Sequence, residues 1–336
     1  MRKRVWGELS PMPQDQLAQH ARDLEAAGLE GIWAPQIFGA PFATLAAAAM
    51  ATQNIKLGAG VAMAFTRSPL ETACNALDLD LICNGRFVLG LGSSAANVSE
   101  TAFGARYGKP LAHMREVVSA VRAMIAEAHT GSLGRFDGEY ATMDLSHFRT
   151  VRAPLRSHIP IYLPAVFEKA TAQAGEIADG LLGHPIWADA WIHNQVKDNL
   201  RAGLGRANKP RDQFDLNLMV FVAIHEDKRQ AIEDSRANVA FYAKQYDRYF
   251  EAIGFGREAT AIRAAAARND FAAMSAACPD DMVEAIVLAG SADEVRKRMA
   301  QRAGFADSIT PVVPHFGLPA DKHTFYARAL ADTFYG

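Results

Sequence analysis

Apolar residues along this chain fall into two alternating patterns. Short runs are apolar at consecutive positions; longer stretches are apolar every third or fourth residue. Ile55 to Ser94 shows both. IKLGAGVAMAF is a continuous apolar run, TRSPLETACNALDLDLICNG has helical periodicity, and RFVLGLGSS is a second run ending in polar residues. Consecutive apolar positions predict strands buried on both faces, as in a parallel sheet covered by helices. Leu70, Ala73, Leu77 and Leu81 form the predicted apolar stripe of the connecting helix. Asn84-Gly85 stops that helix, and a β-α-β unit results.

The same alternation recurs on both sides. Val5 to Leu9 predicts a first strand and Gln14 to Ala27 a helix with Leu17, Ala21 and Leu24 inward, ended by Gly28. Gly31 to Ala34 predicts strand two and Phe42 to Thr52 an alanine-rich helix. Strand four covers Arg86 to Leu91, followed by a loop over 93–110 and a helix over Leu111 to Ala128. Residues 131–150 read as irregular, with a small hairpin near Phe136 to Tyr140. Strands five, six and seven fall at Pro160 to Leu163, Ala178 to Leu182 and Leu216 to Ile224, with helices at Glu168 to Gly175 and Ala188 to Ala202. Residues 227–285 read as an all-helical excursion, with helices over 227–250, 258–268 and 280–285. Ser291 and Glu294 have capping-box spacing before a helix over Val295 to Gly304. Ser308 to Val313 is the last strand and Asp321 to Phe334 a closing helix.

Eight strand candidates with intervening helices predict an α/β fold, a closed (β/α)8 barrel with a helical insertion before the last strand. The competing architecture is an open doubly wound sheet, but no GxGxxG fingerprint follows the first strand. The 336 residues are read as one domain, 1–336. A formal net charge of −2 and the lack of a long Lys/Arg run give no sign of a nucleic-acid-binding surface and leave room only for local basic patches, so no nucleic-acid partner is expected. No apolar window is long enough to span a membrane and no secretory signal is visible, so the cytoplasm is the expected location. Cys74, Cys83 and Cys278 form neither a metal pattern nor a disulfide framework.

In a barrel of this type chemistry sits at the C-terminal strand ends. From strand two onward those ends offer Gln36 and Phe38, then Ala62 to Arg67, Ser93 and Ser94, Ala165 to Phe167, His184 and Trp187, and finally His315 and Phe316. Paired carboxylates, a serine triad and HExxH are missing from this set, and His184 and His315 lack a carboxylate partner. Phe38, Phe65, Trp187 and Phe316 suit either a flat apolar heterocycle or ordinary core packing. A cofactor carrying the hard chemistry accounts for the missing acid–base pair. Gly90 to Ser94 and the entry to the helix at Glu168 are candidate phosphate loops. Arg67 fits an acidic cofactor tail or an ordinary ion pair equally well.

Five segments, LEAAGLEGIWAP (24–35), LGAGVAMAFTRSPLETA (57–73), CNGRFVLGLGSS (83–94), YLPAVFEKATAQAGEIADGLLGHP (162–185) and VLAGSADEVRKRM (287–299), together resemble the bacterial-luciferase-like flavin and deazaflavin oxidoreductases. More narrowly they resemble the branch using coenzyme F420. The resemblance implies a TIM barrel and a hydride transfer between the deazaflavin and a small organic substrate. It implies a ring backed by Gly60, Val61, Ala62 and Met63, where the family often has a non-prolyl cis peptide. Phosphate contacts map to Ser93 or Ser94 and to the amides of Ala165, Val166 and Phe167. Taken with the apolar strand ends, the resemblance leads us to expect Phe38, Phe65 and Trp187 on the substrate side and Gln36 and His184 as the catalytic pair, Gln36 holding a substrate carbonyl or ring edge through its amide and His184 donating the proton. Homodimers are common in the family. Gln36 and Ile37 stand where relatives often carry an acid or an Asp-His pair, which disfavours alcohol oxidation and leaves reduction of an activated double bond. The alternatives are an FMN-dependent monooxygenase of the same fold and a non-catalytic barrel subunit that stabilises a partner chain.

Overall fold

The computed structural model describes residues 3–36 and 39–335. Eight parallel strands close into a barrel: β1 (Arg4–Glu8), β2 (Gly31–Ala34), β3 (Lys56–Ala59), β4 (Phe87–Gly92), β5 (Ile161–Ala165), β6 (Gly180–Gly183), β7 (Asp215–Ile224) and β8 (Ser308–Val312). Each pairs with the next in sequence, and β8 pairs with β1 to close the ring. The doubly wound alternative is therefore excluded. The barrel helices are α1 (Gln14–Ala26), α2 (Phe42–Ala51), α3 (Pro69–Ile82), α4 (Pro110–Glu127), α5 (Glu168–Ile177) and α6 (Lys197–Arg206). Between β7 and a short strand at Leu288–Gly290 run α7 (Lys228–Gln245), α8 (Asp247–Ala252), α9 (Gly256–Ala266), α10 (Phe271–Ala276) and α11 (Asp280–Ile286); α12 (Ala292–Arg302) and α13 (Ala320–Phe334) flank β8.

The local signals explain most boundaries. On α1, Leu17, Ala21 and Leu24 are the buried residues, and Gly28 leaves the helix with φ 74°. Asn84 and Gly85 both adopt positive φ after α3, the conformation their small or amide side chains tolerate. Ser291 and Glu294 form the reciprocal capping box of α12.

Four expectations need correction. The inward face of α3 is Thr72, Ala73, Ala76 and Leu79, while Leu81 is 50% exposed. The helix packs closely through small residues, which rotates the larger leucines toward its edge. The loop after β4 contains a helical turn at Val98–Ala102. The helix expected over 227–250 breaks at Tyr246, whose φ and ψ of −123° and 45° lie outside the helical region. Finally α10 joins the excursion, capped by the Asp270 carboxylate on the Ala273 amide.

Inside the barrel, Trp6, Trp33, Val88, Tyr162 and Leu182 form a compact cluster, with Trp6 stacked on Trp33 at 4.2 Å and 16°. Below it, at the N-terminal end, Glu30 binds Arg4 and Lys56 at 2.7 Å each, and the Tyr162 hydroxyl donates to Asp215. The lower opening is thereby filled. Val61, half-buried, packs on the upper side of the cluster. The interior is a solid column, and its accessible end is the C-terminal one.

Candidate functional site

The site grows from the end of β3. After Ala59 the chain bulges, with a cis Gly60–Val61 peptide, before rejoining β4 through Ala62 and Met63. Two glycines of β4 make room for it. A Cβ on Gly90 would lie 1.9 Å from the Ala59 carbonyl oxygen, and one on Gly92 would lie 2.5 Å from Val61 Cγ2. Gln36, 9% exposed, holds the bulge from the β2 side. Its backbone N–H donates to the Val61 carbonyl at 3.3 Å, and its side-chain Oε1 accepts from the Met63 N–H at 2.9 Å and from Arg67 Nη2 at 3.1 Å. Arg67 also donates to the Met63 carbonyl, and its Nε is buried with no hydrogen-bond partner among the described residues. It is engaged in tethering the bulge. Val61 thus presents an apolar, half-buried face at the barrel mouth, on rigid backbone.

The neighbouring strand exits supply polar groups. After β4, Ser93 and Ser94 are half-buried, and Ser94 has φ 58°. The Tyr107 hydroxyl donates to the Ser94 carbonyl at 3.2 Å and anchors this turn. After β5, the Val166 carbonyl accepts from both indoles, Trp187 Nε1 and Trp191 Nε1, at 3.1 Å each. The loop Ala165-Val166-Phe167 is therefore pinned from outside, and it leads into α5, whose N-terminus has no side-chain cap. Free N–H groups at such a terminus favour an anion.

After β6, His184 keeps accessible surface yet lies deep, and burial pushes its imidazole down to about 4. Its Nδ1 accepts from the Ile186 N–H at 3.3 Å, which leaves Nε2 carrying the proton. Tyr242 and Tyr246 of α7 and its exit approach the ring edge-on at 5.5 and 5.4 Å. The excursion thus reaches over the mouth. At the end of β1, Glu8 is half-buried, its carboxyl has no hydrogen bond among the described residues, and burial raises that carboxyl to about 7. Burial raises both Tyr242 and Tyr335, Tyr246 raises Tyr242 further, and the Glu8 charge adds to each, so both hydroxyls lie within electrostatic reach of Glu8.

The residues expected on the substrate side are placed differently. Trp187 is 1% exposed and serves the Val166 carbonyl. Phe65 is 6% exposed and stacks on His113 at 3.8 Å, which in turn stacks on Tyr140 at 4.2 Å. His113 is buried in that column, with its Nδ1 in hydrogen-bond contact with the Tyr107 carbonyl at 3.0 Å. Phe38 lies outside the described residues. His315 is exposed, and its backbone N–H donates to Asn238 Oδ1. Glu8, Tyr242, Tyr246 and Tyr335 did not emerge from the sequence. Glu8 is the terminal residue of β1, so applying the strand-exit rule to the first strand selects it. Nothing local marks the tyrosines.

Residues 1–307 match the model of the luciferase-like monooxygenases. The chain belongs to that family. A Mycobacterium tuberculosis protein provisionally named coenzyme F420-dependent oxidoreductase is 30% identical over 315 residues, 88% of each chain. The 5,10-methylenetetrahydromethanopterin reductase of Archaeoglobus fulgidus is 29% identical over 293 residues, 84% of this chain and 82% of its own. Among solved structures, the coenzyme F420-dependent tetrahydromethanopterin reductase of Methanopyrus kandleri superposes with TM-score 0.78 over 99% of this chain and 100% of its own, at 23% identity. In this luciferase-like barrel no described helix is long and apolar enough to cross a membrane.

Proposed function

We propose that the protein is a coenzyme F420-dependent oxidoreductase that moves a hydride between the deazaflavin and a small organic substrate. The observation carrying this is the 30% identity, over 88% of both chains, to the mycobacterial protein provisionally named for that activity. The mouth fits a flat ring with an anionic tail. Val61 offers an apolar platform that Gly90 and Gly92 leave uncrowded. Ser93, Ser94 and the amides of Ala165, Val166 and Phe167 form a polar cradle beside it. In this reading Gly60 to Met63 back the ring and the cradle holds the phosphate. When bound, the deazaflavin supplies a two-electron hydride centre.

The chain's own residues do the rest. Gln36 and Arg67 fix the platform through the hydrogen bonds to Val61 and Met63, so the geometry is set before substrate arrives. His184 is neutral at pH 7 and offers an Nε2 proton as a hydrogen-bond donor to a substrate carbonyl or ring nitrogen. Glu8 ionises near neutrality, so it can hold or release a proton at its carboxyl beside the same opening. It takes the general-acid role that His184, unprotonated above pH about 4, fills poorly. Tyr242 and Tyr246 stand edge-on to His184 and in this reading shield that side of the mouth from water.

The proposal includes a homodimer through the outer face of α2 and α3, where Met50 is 78%, Leu81 50% and Ile82 48% exposed. Anaerobic titration of the protein with F420 and, separately, with FMN tests the function. Micromolar F420 binding with a deazaflavin absorbance change upon substrate addition is expected. Binding of FMN alone would overturn it.

A further inference from the structure

From the cradle at Ser93 a narrow cavity of 60 Å³ continues between α4 and α5, past Pro164, Leu111 and Gln173. It meets a wider groove of 390 Å³ that shares Leu111 and Gln173 with it and opens between α4, α5 and α6. The groove is basic. Arg115 of α4, Lys169 of α5 and Arg206 of α6 line it, against a single carboxylate, Glu176. Glu176 binds Arg115 Nη1 at 2.9 Å and Arg206 Nε at 3.0 Å. That carboxylate fixes two guanidiniums from different helices along one wall and still leaves an excess of two positive charges. Each guanidinium keeps further N–H donors, and Lys169 makes no ion pair among the described residues. The chain as a whole carries a net charge of −2, so this excess is a local feature rather than a consequence of composition.

Neither α4 nor α5 has a side-chain cap at its N-terminus, and both termini border the neck. The neck therefore favours a single anionic group and the groove an extended chain of them. We infer that the α4–α5–α6 groove is the binding site for the oligoglutamate tail of the deazaflavin cofactor, entered from the phosphate cradle through the neck. This rests on the function proposed above. Carboxylates of the tail pair with Arg115, Lys169 and Arg206, and the methylene segments lie on Leu111 and Ala172.

The test compares two ligands by equilibrium titration of deazaflavin fluorescence: F420 carrying several glutamates, and the deazaflavin nucleoside lacking phosphate and glutamates. Three exposed contacts contribute about tenfold or more in affinity at low salt. The triple variant R115Q/K169Q/R206Q is expected to bind tailed F420 at least tenfold more weakly, with nucleoside affinity unchanged. Raising salt should weaken F420 binding to the wild type and barely affect the variant. Lys169→Gln alone, which leaves the Glu176 ion pairs intact, should show a smaller loss confined to F420. Equal losses for both ligands, or no loss for F420, would overturn the assignment. Failure of the wild type to bind either ligand would instead overturn the functional reading and the tail site with it.

Discussion

Replacing Glu8 by Gln tests the electrostatics of the mouth most directly. The carboxyl has no hydrogen bond among the described residues, and burial raises it from 4.5 to about 7. That displacement corresponds to about 3 kcal/mol between the two protonation states. Water on its accessible edge screens part of this, leaving roughly 1–3 kcal/mol. An acid raised in the folded state binds more protons there than in the unfolded chain between pH 4.5 and about 7. Stability therefore falls as pH rises through that window. The penalty is absent below 4.5 and complete above 7. Glu8→Gln removes it, so the variant should be more stable than wild type at pH 8.5 by roughly 1–3 kcal/mol and by well under 1 kcal/mol at pH 5. The neighbours do not interfere, since His184 is already neutral above about 4 and Tyr242 and Tyr335 are raised away from this range. Urea denaturation of both proteins at the two pH values measures the difference. A stability gap independent of pH would refute the placement of a poorly solvated carboxyl at the mouth. In turnover, the variant should also lose the limb of the pH–rate profile near neutrality.

Three further outcomes are expected. Gly90→Ala places a methyl against the Ala59 carbonyl oxygen, which is backbone and has little room to yield; it should cost about 1–3 kcal/mol or more and weaken F420 binding at least tenfold, read by thermal denaturation and titration. Trp187→Phe and Trp191→Phe each leave the Val166 carbonyl one indole donor, so single variants should bind F420 almost normally, while the double variant should lose about tenfold in affinity by titration. Arg156→Met strands the Asp80 carboxylate, 2% exposed and held by Arg156 Nη2 at 2.6 Å, and should cost about 3–5 kcal/mol in urea denaturation, partly recovered by adding Asp80→Asn.

Local patterning decided the elements and the barrel, and with them which strand exits lie side by side. Leu17, Ala21 and Leu24 mark the buried face of α1 because side chains of a helix recur every 3.6 residues. The fully apolar β4 reads as an interior strand, whereas the need for glycine at 90 and 92 became visible only where the bulge after β3 packs against them. Ser93, Ser94 and the loop at Val166 follow from chain order, since the exits of consecutive parallel strands are neighbours in a barrel. Orientation was not legible. Small residues on α3 let that helix roll until Leu81 faced outward, and only the fold shows Phe65 stacked on His113 and Trp187 donating to the Val166 carbonyl. Glu8, His184, Tyr242 and Tyr335 come from β1, β6, α7 and the chain end, and only closure of the ring and the return of the excursion bring them to one opening. Their chemistry arises from that proximity: a carboxyl titrates near 7 because its surroundings withhold solvent, and those surroundings are assembled from residues far apart in sequence.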